Sequence, residues 1–252
     1  MIDLSAQVLP NLSLAVLVLV PVLATVQSLF GVGLLLFGTP ILLLLGMEYA
    51  NVLLCLLPAS ITISCLQIRE YRVSAIDFRD LLVWILPSVI FGAILSLKLL
   101  GKIDLRLPIA FVLLLSAALQ LSQRFQAIVQ NFLSRIGHLS WLLTGVVHGM
   151  SNMGGGLLTA YAASRHNRKL DIHREITSAY AVLATGQLFV LYLVVDFPDL
   201  NASLLYPPCA AAAIYFLFGK TLYRGTSERA YKLLFPIFML SCSALLLYQV
   251  MY

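Results

Sequence analysis

The chain has 252 residues, 61% hydrophobic and 11% charged, with a formal net charge of +5 and a mean hydropathy of +0.96. Soluble domains carry roughly 25% charged residues, so this composition excludes one and indicates an all-α integral membrane protein. The positive charge is no nucleic-acid footprint, because all sixteen Lys and Arg lie near the ends of apolar stretches, where membrane topology calls for them.

In chain order, long apolar stretches cover 12–45, 52–68, 81–97, 107–121, 139–163, 176–195, 204–218 and 233–250. Most are close to the ~20 residues that cross ~30 Å of hydrocarbon, but the first would make a helix of roughly 50 Å and must break. Gly31-Val32-Gly33 marks the break, and Gly154-Gly155-Gly156 divides the fifth stretch in the same way. Before the first stretch, Met1-Ile2-Asp3 lacks the basic region of a cleavable signal peptide, and no small-residue cleavage site follows, so that stretch is expected to persist in the mature protein. Cys55, Cys65, Cys209 and Cys242 sit inside apolar stretches without metal-ligand spacing and read as packing residues. No metal or cofactor is expected.

The two breaks belong to an internal repeat. Ser28 to Leu35, SLFGVGLL, returns 123 positions later as Ser151 to Leu158, SNMGGGLL, and the same offset pairs Thr62 with Thr185 and Arg106 with Arg229. One membrane domain thus divides into a first repeat, 1–123, and a second, 124–252. Each half reads as a Gly-broken or re-entrant helix followed by three transmembrane helices. If the breaks are kinks, both halves span four times with one orientation, and 11 basic residues face 5 across the membrane. If they are re-entrant hairpin tips, the halves form an inverted repeat and the split is 13 against 3. Because basic residues favour the cytoplasm, the hairpin arrangement is preferred, with both termini outside and the 69–79 and 165–174 loops together on the cytoplasmic side. Inverted repeats with broken helices near the bilayer midplane recur in secondary transporters. The plainer alternative is small-residue helix packing of the GxxxG kind, which leaves the adjacent Ser151, Asn152 and His148 unexplained.

These residues also carry a resemblance. Gln27 followed by Gly31-Val32-Gly33 and Pro40, then His148-Gly149 followed by Gly154-Gly155-Gly156 in the second half, resemble the motifs of the TauE/SafE family of sulfite and sulfonate permeases. Arg174 stands where that family often has a basic residue opening the next helix. Gly156 is a departure, since some members have proline after the paired glycines. The resemblance implies a multi-pass bacterial inner-membrane protein that moves sulfite, thiosulfate or an organosulfonate.

The chemistry of the motifs suits an anion independently. Helix amino termini after Gly33 and Gly156 would present free N–H groups and positive dipole ends to sulfonate or carboxylate oxygens in one cavity. Ser28, Ser151 and Asn152 add neutral donors without burying fixed charge. Arg174, paired with Asn51 by the repeat, is placed to attract anions at the cytoplasmic mouth or to anchor topology. Gln187 and Thr185 line the cavity or bond between helices. His148 either couples protons to the anion, as an intramembrane histidine can, or bonds backbone freed by the break. The expected partners are therefore a small sulfur-containing anion, protons as the coupling ion, and membrane lipid. A passive anion channel would use the same donors. An intramembrane enzyme would need more than Ser151 and His148, which lie three apart with no acidic orienter nearby.

Overall fold

The structure is a computed structural model that describes residues 14–71, 75–99, 109–112, 114–115, 122–166, 168–194 and 202–219, with isolated positions at 221, 240–241, 244, 247–248 and 251. Every element among the described residues is helical. In order these are α1 (Leu14–Phe30), α2 (Leu34–Leu44), α3 (Tyr49–Tyr71), α4 (Ala75–Leu99), α5 (Gln123–Ile136), α6 (Leu139–Ser151), α7 (Gly155–Arg165), α8 (Lys169–Val194) and α9 (Ala202–Ile214). The last continues into one π-helical turn, Tyr215–Gly219. Segments Tyr49–Tyr71, Phe78–Lys98 and Leu170–Val194 are long and apolar enough to cross a membrane. The 107–121 stretch is described only at 109–112 and 114–115, and most of 233–250 lies outside the described residues.

α5 is a helix that lies between the apolar stretches 107–121 and 139–163. Ser122 caps it by accepting the Phe125 amide at 3.2 Å, and Gly137 ends it with a φ of +53°. Its apolar residues fall on one stripe among polar ones, the pattern of a helix lying along a surface rather than crossing a bilayer. Prolines inside α1, α3 and α4 each withdraw a backbone donor and leave a carbonyl one turn earlier without its helical partner. Pro21 frees the carbonyl of Leu17, for example, and the Tyr206 hydroxyl donates to it at 2.6 Å.

Side-chain contacts fix the direction of each helix. Leu34 N–H reaches Gln27 while Gly38 packs between Leu23 and Leu56, so α2 runs back along α1 and the chain reverses at 31–33. It reverses again after α6, because Gly154 lies against His148 whereas Tyr161 packs on Trp141 and bonds the Gly137 carbonyl. α3 and α8, equivalent in the repeat, are antiparallel: Gln67 meets His173 near one end and Tyr49 meets Gln187 near the other. α4 runs parallel to α6, with Trp84 stacked on His138 and Gly92 beside Gly149. In the same way α9 runs parallel to α1, from Tyr206 on Leu17 to Gly219 on Ser28.

The α4–α6 seam is unusually close. A Cβ at Gly92 would lie 2.5 Å from the Val146 carbonyl oxygen, and one at Gly149 would lie 2.6 Å from the Ala93 nitrogen. Gly145 and Gly149, four apart, therefore serve the small-residue packing set aside above for the glycine run as a whole. The triplet Gly154-Gly155-Gly156 lies beyond this seam, where Gly154 caps α7 and Gly155 and Gly156 open it.

Candidate functional site

The first break is held by buried amides. Gly31 turns the chain with a φ of +74°, a conformation open to glycine, while its N–H donates to the Gln27 carbonyl at 2.8 Å. Gln27 is fully buried; its Nε2 donates to the Ser60 carbonyl and Oγ at 3.1 and 2.9 Å, and its Oε1 accepts the Leu34 amide at 3.3 Å. That last bond occupies one of the α2 donors expected to face a ligand. Ser28 donates its hydroxyl to the Ala24 carbonyl, and Gly33 lies against the Gln27 backbone. Both residues thus shape the turn. Across from them, the Gln67 amide donates to the Ser28 carbonyl at 3.0 Å and meets His173 Nε2 at 3.2 Å.

At the second break Asn152 adopts a left-handed φ of +62°, and its N–H closes α6 on the His148 carbonyl. Its Nδ2 donates to Thr39 Oγ1 at 2.8 Å, so the turn of the second half is tied to a helix of the first. Thr144, His148 and Asn152 lie four residues apart on one stripe of α6, all fully or almost fully buried. The Thr144 hydroxyl, both His148 ring nitrogens and the Asn152 carbonyl oxygen have no hydrogen-bond partner. Buried polar atoms are rarely left so, and such a cluster is the arrangement expected where a ligand or a bound water completes the bonding. The His148 ring meets Tyr180 edge-on at 5.5 Å, and a Cβ on Gly155 would lie 2.6 Å from the Tyr180 hydroxyl oxygen. Gly156 is buried in the first turn of α7 and its carbonyl accepts from Thr159.

Not every expected residue joins these clusters. Ser151 donates its hydroxyl to the Val147 carbonyl at 2.7 Å, so no serine–histidine pair of the kind an enzyme would need is formed. Gln187 bonds the Gly149 carbonyl and Tyr49, pinning α8 to the end of α6. Asn51 is buried in the first turn of α3, at the end remote from Arg174. Arg174 donates to the Tyr71 carbonyl at 3.0 Å and pairs with Asp171 at 3.6 Å. It lines a cavity of about 200 Å³ together with Asp80, Arg165, His166, Asp171 and Glu175. With its cations paired by carboxylates, this cavity is poorly suited to hold an anion by charge alone.

The two breaks are at different depths. The first lies beside His173 to Thr177, the second beside Tyr180 and Gln187, so they follow one another along α8 rather than meeting at one point. Sequence reasoning did not pick out Thr144, Gln67, Thr177 or His173. Polar residues at i, i+4 or i+7 in apolar helices, Thr144/His148/Asn152 on α6 and Ser60/Ser64/Gln67 on α3, were the signal that could have found most of them.

Comparison with known proteins gives one match: a family model described as Sulfite exporter TauE/SafE covers residues 15–246. No curated protein and no solved structure matches.

Proposed function

The chain belongs to the Sulfite exporter TauE/SafE family of membrane transporters, and we propose that it is a secondary carrier for a small sulfur-containing anion in the bacterial inner membrane. The observation that carries this reading is the stripe of unpartnered polar atoms on Thr144, His148 and Asn152 at the second break. The Thr144 hydroxyl and the N–H of a neutral His148 ring can donate to sulfite, thiosulfate or a sulfonate without a fixed cation that would retain it, whereas the Asn152 carbonyl oxygen can only accept, as from the hydroxyl of a protonated anion. Release stays possible for the same reason.

Alternating access follows from an inverted repeat with re-entrant breaks. It is supported by the chain reversals at both breaks, by the antiparallel run of the equivalent helices α3 and α8, and by the matching parallel pairs α4–α6 and α9–α1. A two-fold relation that makes equivalent helices antiparallel has its axis across them, in the membrane plane. Arg69 and Arg79 then share the cytoplasmic side with Arg165, Arg168 and Arg174, a placement supported by the bond from Arg174 to the Tyr71 carbonyl. A proton carried with the anion would sit on His148, where the anion's own charge offsets the cost of burying an imidazolium.

Thr144→Val separates a binding role from a structural one. If the hydroxyl serves a ligand, removing it should leave the free protein as stable as before or more so, because an unsatisfied buried hydroxyl costs about 1 to 3 kcal/mol. Anion affinity should nevertheless fall about tenfold. Binding of sulfite, thiosulfate, taurine, sulfoacetate, sulfate and acetate to purified protein measures this. Unchanged affinity for every anion that the parent binds would refute the site.

A further inference from the structure

We propose that His173 and Gln67 form a proton-binding latch on the first break, which rests on the carrier reading only for its use in transport. The orientation of the Gln67 amide is fixed by its neighbours. Its nitrogen faces the carbonyls of Ser28 at 3.0 Å and Gln27 at 3.4 Å, which can only accept, while its oxygen faces the Thr177 hydroxyl at 3.5 Å. The same nitrogen is 3.2 Å from His173 Nε2, so that ring atom must also accept, and the histidine in this arrangement is the neutral form with its proton on Nδ1.

Protonation breaks the arrangement. A second proton on Nε2 sets two N–H donors against each other across 3.2 Å. Turning the Gln67 amide over relieves this by offering its oxygen to the imidazolium and its nitrogen to Thr177. The Ser28 carbonyl then loses the Gln67 donor that holds it. Gly31 lies beside the same ring, where an added Cβ would come within 3.4 Å of His173 Cε1. Proton binding at His173 therefore loosens the tip of the first hairpin, and deprotonation fastens it.

Ionisable side chains near His173 include Arg69, Glu70 and Tyr71 on α3, Asp171, Arg174 and Glu175 on α8, and Tyr215 on the π-helical turn. The Tyr71 ring stands edge-on to His173 at 5.0 Å, Glu70 accepts the Tyr215 hydroxyl at 2.5 Å, and Arg174 is held by Tyr71 and Asp171. Histidine is the side chain among them whose ordinary titration falls between about pH 5 and 8.

Ser28→Cys, in a chain whose four native cysteines are replaced, reports the state of the tip through its rate of reaction with N-ethylmaleimide. Rates are compared at each pH with those of the same protein carrying His173→Gln, in which a glutamine carbonyl still accepts from Gln67 but no proton binds. The thiolate fraction cancels in that ratio. The ratio should be close to one at about pH 8 and rise about tenfold by about pH 5.5. Gln67→Glu, which cannot donate to the Ser28 carbonyl, should show the fast rate already at the higher pH. A ratio that stays at one across the range overturns the latch. Should His173→Gln fail to give a monodisperse protein, a slow rate in Gln67→Glu overturns it instead. Labelling needs no transported anion: a pH-dependent ratio without any anion flux would sink the carrier and leave the latch, while flux with a flat ratio would sink the latch alone.

Discussion

Gly31 and Gly46 make a matched pair for testing how tightly the first break is built. Both have left-handed backbones, with φ of +74° and +83°. A Cβ at Gly31 would lie 2.9 Å from Ile176 Cγ2, 3.3 Å from Thr177 Oγ1 and 3.4 Å from His173 Cε1, whereas one at Gly46 meets nothing within 4 Å. Alanine at either position carries the left-handed cost of about 1 kcal/mol. Only Gly31→Ala adds overpacking against α8, worth about 1 to 3 kcal/mol. The totals are then about 1 kcal/mol for Gly46→Ala and about 2 to 4 kcal/mol for Gly31→Ala. At about 2 to 4 °C per kcal/mol for a chain of this length, the apparent Tm should fall by about 2 to 4 °C in the first variant and at least twice as far in the second. Thermal unfolding of both proteins in the same detergent measures the difference, and anion flux into liposomes should be kept by Gly46→Ala and largely lost by Gly31→Ala. Equal melting shifts would refute the packing argument, and normal flux through Gly31→Ala would remove the first break from the transport path.

Three further outcomes follow from the same geometry. Single cysteines at Arg79 and Arg168 should both resist an impermeant thiol reagent in intact cells while one at Glu48 reacts; labelling of only one of the two arginine positions would break the inverted repeat. His148→Gln should bind anion yet lose the dependence of liposome uptake on an imposed pH gradient, and a retained dependence would end its coupling role. Asn152→Gly keeps the left-handed backbone and should lose only the bond to Thr39, about 1 kcal/mol, whereas Asn152→Val should melt lower by a further ~1 to 2 kcal/mol because a branched side chain resists that conformation; melting curves that coincide would refute the backbone argument.

The all-helical membrane class was legible because it rests on signals the bilayer imposes. A stretch too long for the hydrocarbon must break, and glycines mark where; the breaks fall at 31–33 and 152–154. α5 was not legible to a hydropathy scan, since an amphipathic helix has little net hydrophobicity and betrays itself only by the spacing of its apolar residues. The partners of the breaks were hidden for a different reason. Gln67 and His173 are separated by more than a hundred positions and meet only because α3 and α8 run antiparallel, a relation no local pattern encodes. Thr144 looked like an ordinary threonine in an apolar helix, where a hydroxyl commonly bonds back to its own turn. That its hydroxyl has no such bond is visible only in three dimensions.

The run from Gly145 to Asn152 combines two devices on one helix and its cap. Gly145 and Gly149 face α4, where their missing side chains let two backbones touch. Thr144, His148 and Asn152 occupy the other stripe, where polar atoms are left over. The two depend on each other. Polar atoms without partners favour any slippage that would bring them to a carbonyl or to water, and a helix locked by backbone contact to α4 cannot slide to relieve them. Close packing at the glycines therefore preserves the unsatisfied stripe, and that gives one reason for the glycines and the histidine to be interleaved within five residues of sequence.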